Sequence, residues 1–209
     1  KGEILETEKI ITWRSYSATL ILFVINAAAY ILCTQTGQSL YDAGSMNAEK
    51  IIEGRQYYRL ATCMFLHADI DHIVSNMIFL IGLGQMVECA IGHLRFLVVY
   101  LISGFGAGAV SLLYSVLTAD IYDAVGASGA IFGLIGALLI LVIIHHGRYR
   151  NISIGRIAFA IVYMVYSGAR AERVDNAAHV GGLMCGILVM AVMNAMGHLF
   201  NKNMGGYRG

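Results

Sequence analysis

The chain has 209 residues, of which 58% are hydrophobic and 13% charged, and its mean hydropathy is +0.69. This composition excludes an ordinary soluble globular domain and makes a lipid bilayer the expected solvent. The formal net charge of +1 excludes the broadly basic surface that binds nucleic acid, so no nucleic-acid partner is expected.

The four cysteines are widely spaced and form no CxxC pair, and three of them lie inside apolar runs. We interpret them as small buried residues, so neither a disulfide nor a metal site is expected from them. The adjacent His145 and His146 would point to different sides of a helix, which favours a solvated loop over a metal site. No cofactor is therefore expected.

Six segments are apolar enough to cross a bilayer core of about 30 Å, which takes about 20 residues of helix. The fifth is the weakest, because Arg156 near its start has to extend toward the interface. Six buried helices in so short a chain would leave too few polar residues to coat a soluble bundle. We therefore predict an all-α membrane protein with spans near 16–35, 72–91, 94–117, 126–144, 153–169 and 177–199.

These spans are expected to form a single transmembrane domain over residues 1–209, with its core at about 12–199. The chain begins at Lys1 without a methionine or a cleavable signal peptide. We therefore expect the natural chain to be longer, with a soluble N-terminal domain as one candidate for the missing part.

The basic residues favour a topology with both termini in the cytoplasm, because cytoplasmic loops are enriched in Lys and Arg. The connection at 118–125 carries two aspartates and no basic residue, which favours the outer side, and Ser128 then lies just below the outer face. Of the 14 Lys and Arg residues, nine lie inside in this topology: Lys1, Lys9, Arg14, Arg95, Arg148, Arg150, Arg156, Lys202 and Arg208.

The connection between the first two spans, residues 36–71, is too long for a simple turn. It mixes charges with the aromatic residues Tyr41, Tyr57, Tyr58 and Phe65. Such a composition is typical of a segment that lies half embedded at the membrane interface.

The second span opens with HADIDHIVSN, in which His72 and Asn76 are four residues apart and share one helix face. One interpretation is a helix entry capped by Asp69 or Asp71. The other is a functional site, because hydrogen-bonding side chains are costly in apolar spans and often mark function there.

The fourth span opens with VGASGAIFGLIG, which places one hydroxyl group, that of Ser128, among glycines. Small residues four apart, such as Gly129 and Gly133, are typical of helices that pack closely, and serine is itself common there. The glycines beside the serine, Gly126 and Gly129, would equally leave room for a substrate backbone to approach.

The sixth span opens with NAAHVGGLMCG, in which Gly182 and Gly186 lie on the same helical side as His179. A structural histidine is one interpretation. The glycines, however, favour close packing against the glycine-rich fourth span. We call the glycines on the facing sides of the two spans, Gly129 with Gly133 and Gly182 with Gly186, the two glycine strips. If these strips meet near their outer ends, His179 faces Ser128, and His72 and Asn76 lie at the same depth.

Together these groups predict nucleophilic catalysis. A serine becomes a good nucleophile when an adjacent histidine takes its proton, which gives Ser128 and His179 their roles as nucleophile and general base. An oxyanion formed on the substrate could be stabilised by His72, Asn76 and the backbone N–H of Ser128. We interpret Asp175 as a cap or loop residue, so a dyad is expected rather than a triad.

At these residues the chain resembles the rhomboid intramembrane serine proteases of the bacterial six-helix type. The resemblance spans about residues 12–199 and depends on GxSG at 126–129, on His72 with Asn76, and on His179 with its following glycines. It includes GxxxExxxG, formed by Gly84, Glu88 and Gly92. It implies the roles given above and a six-transmembrane-helix bundle with a long interfacial first loop.

The resemblance also assigns supporting residues. Residues 36–71 would be the membrane-embedded first loop, with Tyr58 and Arg59 where the family carries a Trp-Arg pair. Arg59 is expected to pair with Glu88, or else to lie in water at the interface. Phe132 stands where many relatives carry a tyrosine that packs on the catalytic histidine, and a phenyl ring can stack there equally well.

The resemblance implies single-span membrane proteins as substrates and the cell membrane, in this case a bacterial inner membrane, as the location. Two alternatives belong to other classes. A rhomboid-like protein that binds membrane clients without cleaving them would typically lack the serine or the histidine, and both are present. A small transporter would be expected to show an inverted repeat, and none is evident.

Overall fold

The computed structural model describes residues 12–37, 39–149, 152–159, 161–162 and 174–205. Within these ranges four helices are long and apolar enough to cross a membrane, and the apolar helix Ser128–Ile144 is a shorter fifth. They coincide with the first four and the sixth of the predicted spans. The protein is thus an all-α, multi-pass membrane protein, as predicted.

Two short 3₁₀ helices, Trp13–Tyr16 and Cys63–Phe65, precede the first and the second of the long helices. A pair of two-residue antiparallel strands follows the helix Ser128–Ile144. In chain order the elements are α1 (Ser17–Thr36), α2 (Ser39–Gly44), α3 (Ala48–Ile52), α4 (Arg59–Thr62), α5 (Ile70–Ile91), α6 (His93–Thr118), α7 (Ser128–Ile144), β1 (Arg148–Tyr149), β2 (Ile152–Ser153) and α8 (Asn176–Gly205).

The fifth predicted span, 153–169, is described only at its beginning. Residue 153 belongs to strand β2 rather than to a helix, and helical residues follow at 154–159 and 161–162. Because Ser153 pairs with Arg148 as a strand residue, the helix begins only after it, at residue 154. The rest of this predicted span lies outside the described residues.

Helix α7 is the centre of the bundle. It packs against α5, α6 and α8, and its residues from Gly129 to Leu138 are all buried. A helix that is apolar on all sides is expected to be enclosed by others. Its 17 residues extend about 26 Å at 1.5 Å per residue, less than a bilayer core of about 30 Å. At least one of its ends therefore lies within the hydrocarbon depth.

Glycines allow α7 and α8 to touch backbone to backbone. A methyl group at Gly182 would overlap the backbone of Gly129, and one at Gly186 would overlap that of Gly133. At Gly136 it would lie 2.5 Å from the carbonyl oxygen of Leu183. The predicted meeting of the two glycine strips is therefore present, and it aligns the beginnings of the two helices.

Glu88 holds the beginning of α1 against the end of α5. Its buried carboxylate accepts hydrogen bonds from the backbone N–H groups of Ala18 at 2.8 Å and Thr19 at 2.7 Å, and from Thr19 Oγ1 at 2.6 Å. His93 Nδ1 lies 2.5 Å from Oε1, the oxygen that also accepts from Ala18. Because the first N–H groups of a helix have no intrahelical acceptor, this carboxylate caps α1 from a neighbouring helix.

The expected pair of Arg59 with Glu88 is wrong. Arg59 donates to the carbonyl oxygens of Asp42 at 2.9 Å and Ser45 at 2.8 Å, and to Gln56 Oε1 at 2.7 Å. Arg59 and its three partners all belong to the connection between α1 and α5, so these bonds hold that connection together internally. The physical reason is distance, since Glu88 lies about 27 Å along α5 from the helix start at 1.5 Å per residue, while α4 lies on the chain shortly before that start.

Replacing Glu88 with glutamine is expected to lower the free energy of unfolding by about 3 kcal/mol. The amide has one acceptor oxygen in place of two and sets its own N–H groups against the donors of α1. Equilibrium unfolding in detergent micelles measures the loss. The exposed carboxylate of Asp71 on the same helix provides the control, because Asp71→Asn should change the free energy of unfolding by less than about 0.5 kcal/mol. Equal stability of the two variants would contradict this role of Glu88.

Candidate active site

The segment that leads into α7 is hydrogen-bonded to the connection between α1 and α5. Met46 and Ala124 exchange two backbone hydrogen bonds of 2.9 Å. The backbone N–H of Gly126 donates to Cys63 O at 2.9 Å. These bonds hold the segment that leads into Ser128 at the same end of the bundle as the start of α5.

Ser128 and His179 are hydrogen-bonding neighbours. Ser128 begins α7, His179 lies in the first turn of α8, and the distance from Ser128 Oγ to His179 Nε2 is 3.0 Å. His179 is buried and Ser128 is half-buried. The close glycine contact between α7 and α8 is what brings these two side chains together, although 51 positions separate them in the chain.

The imidazole of His179 is held on its face by Phe132. The two rings are stacked with centroids 4.2 Å apart and an interplanar angle of 13°. Phe132 lies one helical turn after Ser128, so the helix that carries the hydroxyl group also orients its partner. The ring stacking needs no hydroxyl group on residue 132.

The second ring nitrogen of His179 has no hydrogen-bond acceptor within the part of the chain that the structure describes. For Nε2 to accept the proton of Ser128, Nδ1 has to carry the ring proton. Asp175, the carboxylate nearest in sequence, accepts from the backbone N–H of Ala178 at 2.8 Å and thus caps α8. Among the residues that the structure describes, the geometry is that of two paired groups without a third.

His72 and Asn76 flank Gly126, two residues before Ser128. A methyl group built on Gly126 would lie 2.7 Å from His72 Nε2 and 3.7 Å from Asn76 Nδ2. Gly126 has φ +132°, a backbone conformation that favours glycine. Asp69 caps α5 by accepting from His72 N at 2.8 Å, so the capping interpretation of this segment is confirmed.

Three hydrogen-bond donors lie near the segment Gly126–Ser128 at the beginning of α7. Asn76 Nδ2 is buried and has no acceptor among the described residues. Ser128 is the first residue of α7, so its backbone N–H has no intrahelical acceptor. With His72, these groups could bind an oxygen atom that gains negative charge beside Ser128.

His67 is a neighbour of this site that the sequence analysis missed. Its buried ring meets that of His72 edge to face, with centroids 5.1 Å apart. Burial and then the adjacent His72 lower the pKa of His67 to about 3, so it is neutral at physiological pH. The only signal in the sequence was its position in the same HADIDH segment.

A small cavity of about 30 Å³ adjoins Ser128. Its polar lining residues are Ser111, Ser128 and Asp175, and glycine and alanine residues of α6 and α7 form much of the rest. This volume is enough for about one or two water molecules. Ser128 therefore lines a small, mostly apolar space that also contains the polar side chains of Ser111 and Asp175.

Comparison with known proteins agrees with this architecture. The family model described as the Rhomboid domain matches residues 54–196. RHOMBOID-like protein 4 of Arabidopsis thaliana is 35% identical over 156 residues, which are 74% of this chain and 39% of that protein. RHOMBOID-like protein 7 of the same plant is 35% identical over 157 residues, 74% of this chain and 48% of that protein.

A bacterial relative is the Rhomboid protease GluP of Bacillus subtilis (strain 168), 32% identical over 157 residues. The match covers 75% of this chain and 30% of that protein. The chain thus spans less than half of the length of these three relatives. Because the family model matches well over half of the chain, the chain belongs to the rhomboid family.

Proposed function

We propose that the protein is an intramembrane serine endopeptidase in which Ser128 is the nucleophile and His179 the general base. The observation that carries this proposal is the 3.0 Å distance between Ser128 Oγ and His179 Nε2. The name of the relative GluP, a rhomboid protease, supports the same activity.

In the proposed reaction His179 Nε2 takes the proton of Ser128 as Oγ attacks the carbonyl carbon of the scissile peptide bond. The carbonyl π electrons move to its oxygen and form a tetrahedral intermediate. Collapse of this intermediate breaks the C–N bond, and the leaving amine takes the proton from His179. A water molecule, deprotonated by His179, then attacks the carbonyl carbon of the Ser128 ester. The bond from this carbon to Oγ breaks, Oγ takes the proton from His179, and the acid product is released.

The oxyanion of the intermediate would be bound by Asn76 Nδ2, the ring of His72 and the backbone N–H of Ser128. The absence of an acceptor for Asn76 Nδ2 within the described ranges supports this role, because a buried amide donor is costly unless it is paired. Such donors act without reorganising during the reaction, because the helices already fix their positions.

Asn76→Ala is expected to lower kcat on the order of 10²-fold, with a smaller change in KM, because the lost bond strengthens in the transition state. Asn76→Asp is the matched variant: it keeps the size of the side chain but opposes the oxyanion with a negative charge. We expect it to be at least as slow as Asn76→Ala. An Asn76→Asp variant with the wild-type kcat would show that Asn76 only fills space.

The proposed substrates are membrane proteins with a single transmembrane segment. A substrate helix hides its carbonyl groups in hydrogen bonds and has to unwind before attack, so small or helix-breaking residues near the cleavage site are expected. We place the protein in a cell membrane, the inner membrane of a bacterium, with both termini in the cytoplasm. The distribution of Lys and Arg supports this orientation.

The test is cleavage by the purified protein in proteoliposomes. A panel of single-span membrane proteins is incubated with wild-type protein, and the products are mapped by mass spectrometry. We expect one cut in or near a transmembrane segment of at least one panel member. Binding of panel members by folded protein with no cut in any of them would contradict the proposal and favour the client-binding alternative.

A further inference from the structure

Asp175 connects three elements that meet at the candidate active site. One carboxylate oxygen accepts from the backbone N–H of Ala178 at 2.8 Å in the first turn of α8. The other accepts from the hydroxyl group of Ser111 on α6. Ser111 Oγ is in turn 3.2 Å from the hydroxyl group of Tyr122, in the connection that leads to Ser128.

The direction of these hydrogen bonds follows from the number of protons. A carboxylate only accepts hydrogen bonds, so the single hydroxyl proton of Ser111 is donated to Asp175. Tyr122 then has to donate to Ser111. Burial, and in addition the nearby charge of Asp175, raises the pKa of Tyr122, so this hydroxyl group stays protonated. The chain of donors therefore has one direction, from Tyr122 through Ser111 to Asp175.

This chain of bonds matters because few contacts fix His179. Its Nδ1 has no acceptor in the described part of the protein, so no side chain sets the ring orientation from that nitrogen. The ring depends on stacking against Phe132, on the hydrogen bond between its Nε2 and Ser128 Oγ, and on the position of the α8 backbone. The backbone N–H of His179 itself donates to Asp175 O at 3.2 Å.

We propose that Asp175 is a positioning residue for the reaction of Ser128 with His179. Its carboxylate, joined through Ser111 to Tyr122, fixes the first turn of α8 relative to α6 and to the segment that leads into Ser128. Asp175 acts through His179 and touches no reacting atom. This inference rests on the proposed function.

The chain offers a matched control on the same helix. Ser115, one turn after Ser111 on α6, is equally buried and donates to Asp120 O at 2.5 Å. It therefore ties α6 to the same connection without involving Asp175. Ser115→Ala removes a comparable hydrogen bond and reports the effect of lost stability alone.

The experiment compares Asp175→Ala, Asp175→Asn, Ser111→Ala and Ser115→Ala with the wild type. For each we measure kcat, KM and the rate of labelling by a serine-directed fluorophosphonate, well below the thermal unfolding midpoint of every variant. We expect Asp175→Ala to lower kcat about 100-fold and Ser111→Ala about tenfold with KM nearly unchanged, because misplaced catalytic groups slow the chemical step. Labelling rates should fall in parallel, and Ser115→Ala should stay within about twofold of the wild type.

Asparagine at position 175 can still cap α8 through its one acceptor oxygen, and its NH2 group can donate to Ser111 Oγ if Ser111 turns to donate to Tyr122. The same groups stay joined with the direction of the bonds reversed, so we expect it to restore kcat to within about fivefold of the wild type. Rates for Asp175→Ala and Ser111→Ala equal to that of Ser115→Ala would overturn the inference, even if all variants are less stable. If instead the wild type neither cleaves nor is labelled at Ser128, the proposed function has failed, which is a different result.

Discussion

Ser128→Ala is expected to abolish cleavage of a reconstituted membrane substrate while leaving the bundle folded. The substitution removes Oγ, the proposed nucleophile beside His179, and losing a nucleophile of this kind lowers kcat on the order of 10⁴-fold or more. His179→Ala should be nearly as slow, because the remaining hydroxyl group has no base. Cleavage rates in proteoliposomes measure the loss of activity, and circular dichroism of each variant shows whether the bundle is still folded.

The double variant sharpens this prediction. Two residues that act as one unit are strongly non-additive, so Ser128→Ala combined with His179→Ala should be no slower than the slower single variant. Ser75→Ala, an exposed serine of α5, is the control for the substitution itself and should cleave at the wild-type rate. Cleavage by Ser128→Ala above about 1% of the wild-type rate would contradict the assignment of the nucleophile.

Gly182→Ala is expected to lower the cleavage rate on the order of 10³-fold, although residue 182 carries no reacting atom. Its methyl group would overlap the backbone of Gly129, so α7 and α8 have to separate. Separation lengthens the 3.0 Å contact between Ser128 and His179. A misplacement of 1 Å alone costs about 10²-fold in rate, and relieving this overlap takes more than that.

Gly197→Ala is the matched control on the same helix. A methyl group at Gly197 would meet no atom within 4 Å in the described structure, so the substitution should leave the rate unchanged. Thermal unfolding of both variants separates loss of fold from loss of alignment. Equal rates for Gly182→Ala and Gly197→Ala would show that close packing of α7 on α8 does not control the reaction.

Much of this fold could be predicted from the sequence because a bilayer imposes simple rules. Apolar length located the beginnings of five helices to within two residues, whereas the last of them, α8, extends to Gly205 instead of 199. Small residues spaced at one helical turn indicated which helices touch, since small side chains let two helix backbones approach closely. That contact in turn predicted that Ser128 and His179 would be neighbours, because both open their helices at the same end of the bundle.

The contacts that could not be predicted depend on which ends of elements meet. Glu88 and Arg59 carry opposite charges, but Glu88 binds the first turn of α1 and Arg59 binds carbonyl groups of its own connection. The bond from Ser111 to Asp175 joins residues 64 positions apart, and neither position shows a pattern that would pair them. The sequence does not predict hairpin β1–β2 either, since two-residue strands are too short to show an alternating pattern.

The most direct test of the Ser128–His179 pair is covalent labelling in the membrane. Wild-type protein in native-like vesicles is treated with a fluorophosphonate, and the modified peptide is identified by mass spectrometry. We expect a single adduct on Ser128, absent in Ser128→Ala and formed far more slowly in His179→Ala. Labelling that survives Ser128→Ala, or that is equally fast without His179, would contradict the account.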